Sequence, residues 1–140
     1  MKLVIFKNKI HKKYKKFGTV YCKAINENIS FNNRGWTHIS FDGKGHRRKN
    51  KNIIMRLNLV LYAHEVIRRA NKVIKDEMKE RLVKGVKRKI RNVEIACDIK
   101  GTKKHITVIL RKIGDGNFHY YSVRRTKNKI INMLSKQKSP

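Results

Sequence analysis

His38 stands three residues after Gly35 and is followed by Lys44, His46, Arg47, Arg48 and Lys49, so a titratable imidazole lies close in sequence to several cations. Between a strand and a helix N-terminus, such a cluster occupies a spot that favours anions. The combination suits cleavage of RNA without a metal. The 2′-hydroxyl must lose a proton as it attacks phosphorus, the 5′-oxygen must gain one, and cations must hold the added charge of the phosphorane. Histidine transfers protons near neutral pH, and arginine grips phosphate through two parallel hydrogen bonds. A lone histidine is more often a packed or surface residue, which is the reading for His11 and His64. Trp36, beside His38, offers a ring on which a base could stack.

A second set of polar residues depends on a hairpin. Asp115-Gly116 is a strong signal for a two-residue type I′ turn, which needs positive φ at both central positions. Counting outward from that turn, Gly114 faces Asn117, Arg111 faces Tyr120, Ile109 faces Ser122, Thr107 faces Arg124 and His105 faces Thr126. One face then carries Ile106, Val108, Leu110, Tyr121 and Val123 and should be buried. The other carries His105, Thr107, Arg111, Tyr120, Ser122 and Arg124. The plain alternative for that second face is the solvated side of an ordinary sheet, and a slip of one residue would exchange the two faces.

The elements that must position these residues are read from periodicity. Leu3 to Phe6, Thr19 to Ile25 and Trp36 to Phe41 read as short strands between turn-forming stretches. From Asn52 to Ala70 the apolar residues Ile53, Ile54, Leu57, Val60, Leu61, Val66 and Ile67 recur at helical spacing. A second helix is expected over Val73 to Ile90. There Ile74, Met78, Leu82, Val86 and Ile90 form a four-residue stripe, with Glu77 paired to Arg81 and Glu80 to Lys84. An antiparallel meander follows over Val93 to Ile99, His105 to Arg111 and Phe118 to Val123. The expected fold is α+β, one or two helices packed on a small twisted antiparallel sheet. It forms a single domain over 1–140, with a basic N-terminal strand and arm over 1–18. The basic tail over 126–140 frames a short helix through Ile130, Ile131 and Leu134, or frays.

Composition narrows the partner. Thirty-seven Lys and Arg stand against nine Asp and Glu in 140 residues, a formal net charge of +28. Such a domain repels itself unless a dense polyanion neutralises it, which points to nucleic acid. A membrane role would need a long apolar span or one strongly amphipathic basic helix, and neither is read here. Leu3 to Phe6 is too short for the apolar region of a signal peptide, so the expected location is cytoplasmic. Cys22 and Cys97 read as two buried thiols, their spacing is not that of a zinc site, and scattered histidines with few acids predict neither metal nor cofactor.

The segments GWTHISF, HRRKNKNIIMRLNLVLYAHEVI, NVEIACDI and HITVILRKIGDGNFHYYSV together resemble the phage and mobile-element nuclease-like domains grouped with barnase, EndoU, the RNase colicins and the RelE toxins. The resemblance covers residues 20–125. It implies a helix on a small antiparallel sheet and metal-independent RNA cleavage at the sheet's open face. His38, an arginine after it (Arg48 or Arg56) and Ser122 match the family's polar positions, while His105 comes from the hairpin register. The charged helix expected over Val73 to Ile90 departs from the family pattern as an insertion.

The expected activity is an endoribonuclease that leaves a 2′,3′-cyclic phosphate and a 5′-hydroxyl. His38 and His105 would be base and acid in either order. Arg48, Arg56 and Arg124 would hold phosphate, Ser122 would bond a nonbridging oxygen, and Tyr120 or Trp36 would stack a base. Arg47, Lys104, Arg111 and Arg125 would extend the RNA-binding face. The resemblance further implies toxin use and an acidic immunity or antitoxin partner. The alternative is a non-catalytic RNA- or ribosome-binding protein. Use of the Asn52 to Ala70 helix in a DNA groove is disfavoured by its apolar girth.

Overall fold

A computed structural model describes residues 2–138; the last two residues of the expected tail lie outside it. The α+β class holds, on a larger frame than expected. Five helices accompany a six-stranded, curled, mixed sheet among the described residues. In chain order they are α1 (Lys2–Lys15), β1 (Thr19–Cys22), β2 (Glu27–Ser30), α2 (Asn33–Ser40), α3 (Asn50–Val60), α4 (Ala63–Arg69), β3 (Val73–Val83), β4 (Val86–Asp98), β5 (His105–Ile113), β6 (His119–Arg125) and α5 (Asn128–Lys138). The sheet order is β1-β2-β6-β5-β4-β3, antiparallel except where β2 meets β6.

Three expected elements take another form, each for a physical reason. Leu3 to Phe6 belongs to helix α1. Leu3, Phe6, Ile10 and Tyr14 recur at spacings of three and four, and Ile10 and Tyr14 are buried, the stripe of an amphipathic helix. Trp36 to Phe41 is mostly helix α2. Asn32 caps it, accepting hydrogen bonds from the backbone amides of Arg34 at 3.1 Å and Gly35 at 3.3 Å, a side-chain cap that outweighs the β-branched local composition. The stretch from Val73 to Ile90 is a β-hairpin of β3 and β4 turning at Lys84 (φ 52°) and Gly85 (φ 78°). A four-residue stripe is a multiple of the strand period and close to the helical one, so it could not separate the two. Glu77 bonds the same-face strand neighbours Lys75 and Lys79 and not Arg81.

The expected long helix breaks at Leu61 and Tyr62 into α3 and α4. Its apolar face survives the break. Ile53, Leu57, Val60, Val66 and Ile67 are all buried against the sheet residues Val93, Ile95, Ile106, Val108, Leu110 and Val123, with α4 on β4 and β5 and α3 on β6. Each such side chain contributes roughly 1.5–3 kcal/mol by leaving water.

The hairpin of β5 and β6 keeps the expected pairs Thr107 with Arg124 and Ile109 with Ser122, yet not the expected turn. Positive φ falls on Gly114 at 56° and not on Asp115, which excludes type I′ at Asp115-Gly116. Arg111 pairs with His119, Leu110 pairs with Tyr120, and the register shifts between Ile109 and Leu110. Tyr121 is therefore the extra residue of a β-bulge. The longer turn and the bulge cancel, so the far half of the hairpin is as expected while the two tyrosines exchange faces. Tyr120 is 0% exposed in the core among Tyr14, Phe31 and Gly35.

Gly35 permits that packing. A Cβ there would stand 2.3 Å from the Tyr120 carbonyl oxygen, so α2 can lie on β6 only with glycine at the crossing. β2 meets β6 at one parallel bridge, Ser30 with His119, and α2 and α3 pack along the rest of β6.

Candidate functional site

The residues that gather beside β6 come from α2, the following loop, α3, β5 and the bulge. His38 is half-buried on α2. The loop after it is folded by Asp42, whose carboxylate accepts from the amides of Lys44 at 2.9 Å and His46 at 3.0 Å. Arg48 returns along that loop to donate from Nε to the His38 carbonyl at 3.0 Å, and its Nη2 lies 3.0 Å from His38 Nε2. A guanidinium has no acceptor, so His38 Nε2 is the acceptor and the ring is the neutral Nδ1–H tautomer.

The imidazole stacks on Tyr121 with centroids 3.9 Å apart, and the Arg111 guanidinium carbon lies 3.5 Å from the centroid of the same ring. Two groups this close cannot share one face, so Tyr121 is held between His38 and Arg111. Arg111 is further fixed by donating from Nε to Asn92 Oδ1 at 2.9 Å. Arg56, from α3, donates from Nη1 to Ser122 Oγ at 2.6 Å.

This grouping is electrostatically unbalanced. Among the described residues, none of Arg48, Arg56 and Arg111 forms an ion pair. Burial lowers Arg56 and Arg111 from the ordinary arginine range, with Arg48 and Arg124 adding to the effect at Arg56. His38 is pushed down to about 3, first by burial, then by Arg48, Arg56 and Arg111, against a weak opposing pull from Asp42. Half-buried cations without counter-charges are costly in the empty protein and favourable once an anion arrives. Over the imidazole opens a cleft of about 560 Å³ lined by Arg34, Thr37, His38, Phe41, Asp42 and Tyr121. Among the described residues no three His, Cys, Asp or Glu side chains gather as a metal would require.

The structure brings together His38, Arg48, Arg56, Arg111 and Ser122 of the residues read from sequence, and disperses the rest. His105 lies six residues before Arg111 on β5, about 20 Å along the strand, with Nδ1 2.8 Å from Thr126 Oγ1. It does not pair with His38. Ser122 is only 5% exposed and holds Arg56, so it positions that arginine. Arg124 is engaged by Glu94 at 2.5 Å.

Trp36 is buried and stacks on His11 at 4.2 Å, and Tyr120 is core, so neither can receive a base. Arg47 is exposed and bonds Asn50. Lys104 and Arg125 line a separate groove with Lys51 and Tyr62. Sequence reasoning missed Tyr121, Arg34 and Phe41. Arg34, His38 and Phe41 are spaced by four and three, so reading the segment as a helix from the Asn32 cap would have placed them together. Comparison of the chain with known protein families, characterised proteins and solved structures finds no match.

Proposed function

We propose that the protein binds RNA and cleaves it without a metal, using His38 as the proton acceptor for the 2′-hydroxyl. The observation that carries this reading is the set of three half-buried arginines, none of them in an ion pair among the described residues, around one neutral imidazole. A scissile phosphate entering the cleft would draw Arg48, Arg56 and Arg111 onto its oxygens. That would release His38 Nε2 from Arg48, and the anion's charge would raise the imidazole from about 3 towards its ordinary range. The 2′-oxygen then bonds to phosphorus as its proton passes to Nε2. The P–O5′ bond breaks, the 5′-oxygen takes a proton from water, and the hydroxide so formed takes back the proton from the His38 imidazolium. The products are a 2′,3′-cyclic phosphate and a 5′-hydroxyl. Phe41, 39% exposed on the cleft wall, would stack the adjoining base. The resemblance to the barnase, EndoU, RNase colicin and RelE group supports the same chemistry and would add toxin use and an acidic immunity or antitoxin partner.

The second reading, a non-catalytic RNA or ribosome binder, is favoured by one observation: Nε2 is already occupied by Arg48. Incubation of end-labelled RNA with purified protein in EDTA separates the two. Cleavage with cyclic-phosphate ends, lost in His38→Ala while RNA affinity is kept, is the expected result. Intact RNA throughout leaves the binder.

A further inference from the structure

Beyond the His38 cleft, and resting on its reading as an RNA site, the hairpin of β3 and β4 shows a second feature that local stability does not explain. β5 begins pairing with β4 at Ile90, opposite Ile113, so the four outer pairs from Glu80 with Lys89 to Val83 with Val86 have no third strand beside them. They form an arm about 13 Å long at the usual rise per residue. Between residues 80 and 89 the arm carries five Lys and Arg against one acid. Arg81 and Arg88 stand directly opposite each other in the ladder, a like-charge pairing that weakens a hairpin unless an anion lies against it. The turn places Lys84 at a φ of 52°, a conformation that a non-glycine side chain adopts at a cost.

The arm does not point into empty solvent. Arg88 and Lys84 line a cleft of about 530 Å³ together with Arg34, His119, Val86 and Ile113, and Asp115 is the one acid among its lining residues. Arg34 also lines the His38 cleft, so the two clefts share a wall. His119 is 4% exposed, and its Nε2 has no hydrogen-bond partner, an orphaned buried group of the kind that ligands or ordered water satisfy. Arg81 is close enough to Arg111 to help lower it, after burial. Cations thus mark a path from Arg48 and Arg111, both near His38, through Arg34, which lines both clefts, to Arg88 and the arm. Apolar Val86 and Ile113 stand where a base could lie.

We propose that the Arg34–Arg88–His119 cleft is a second nucleotide subsite, in which the arm grips the phosphate flanking the scissile one. A single RNA strand would then cross from the His38 cleft over Arg34 to the arm. The like-charge pair of Arg81 and Arg88 is retained because the flanking phosphate neutralises it in the complex.

The test uses 2′-O-methyl RNA, which cannot be cleaved for want of a free 2′-hydroxyl. Binding of a dinucleotide and of a hexanucleotide is followed by fluorescence anisotropy for the wild type, Arg88→Glu and, as a control, Lys12→Glu on the exposed side of α1. Arg88→Glu creates an attractive pair with Arg81, so its melting temperature should hold or rise. Its hexanucleotide affinity should fall about tenfold, the worth of one charge-assisted phosphate contact, with the dinucleotide little affected. Lys12→Glu should change hexanucleotide binding by less than about twofold, as expected for one screened distant charge. Equal losses in the two variants, or no loss in Arg88→Glu, overturn the subsite. Arm-dependent binding of the hexanucleotide combined with intact unmodified RNA sinks the cleavage reading and leaves the subsite standing. Failure of the wild type to bind the hexanucleotide overturns both.

Discussion

His38 sits where its protonation is opposed from every side, and this has two consequences of opposite experimental character. In the free protein the ring is held down to about 3 by burial and by Arg48, Arg56 and Arg111, whereas in a complex a phosphate would offset those arginines. The acid limb of kcat/KM, which reports the free enzyme, should therefore lie well below 6.5, and the acid limb of kcat should lie above it. Coincident limbs would mean that phosphate does not meet His38. Stability runs in a fixed direction too. His38 and His119 are lowered to about 3 and about 4 in the folded chain and return to their ordinary value on unfolding. Below pH 6.5 the unfolded state thus binds more protons, and stability must fall as pH drops from 6.5 towards 4. Thermal melts across that range check it, and His119→Gln should flatten the dependence. Ser122→Ala is expected to act through Arg56. Because Ser122 is buried and holds that guanidinium, the variant should lose cleavage tenfold or more and roughly 1 kcal/mol of stability. Ser122→Thr, which keeps the hydroxyl, should recover part of the activity.

The elements around the site were legible where periodicity was unambiguous and lost where it was not. Val108, Leu110 and Val123 were placed on the buried face by counting outward from the Asp115-Gly116 turn, and all three are buried. The wrong turn did not disturb them, since the bulge at Tyr121 restored the phase. No residue type announces a bulge, so the exchange of Tyr120 and Tyr121 was not readable, and with it went the aromatic link between His38 and Arg111. The helix α2 was readable in principle from the Asn32 cap, but β-branched and aromatic neighbours pointed to a strand. The arm was lost to a stripe that fits both periods, although Lys84-Gly85 is the pair that makes the two-residue turn. Two variants test this packing. Val108→Ala should cost roughly 1–3 kcal/mol through lost burial and the cavity left. Gly35→Ala should cost as much or more, because its methyl would collide with the backbone of Tyr120 and push α2, with His38, away from β6. Urea denaturation of both variants gives the free energies, and an unchanged Gly35→Ala midpoint would deny the close crossing.

At the scale of the whole molecule the few acids are spent locally. Among the described residues, Asp42 faces His46, Glu65 Arg69, Asp76 Arg91, Glu77 two lysines and Glu94 Arg124. Among the described residues none of these acids forms an ion pair with Arg48, Arg56 or Arg111, and the net charge of +28 is not cancelled by folding. Self-repulsion of that size lowers the stability of the compact state and is relieved by salt or by a polyanion. Added salt should therefore raise the melting temperature of the free protein while weakening its complex with RNA. For a single strand the slope of log affinity against log salt is about −0.7 per phosphate neutralised. The scissile phosphate held by Arg48, Arg56 and Arg111 and the flanking phosphate held by Arg34 and Arg88 would together give a slope of about −1.4 on that scale. Titrations of a labelled 2′-O-methyl oligonucleotide between about 50 and 300 mM salt, a range over which screening changes strongly, measure the slope directly. A value shallower than about −1 would mean that fewer than two phosphates are held, too few to span both clefts. The charge of the chain would then serve some purpose other than gripping RNA along this path.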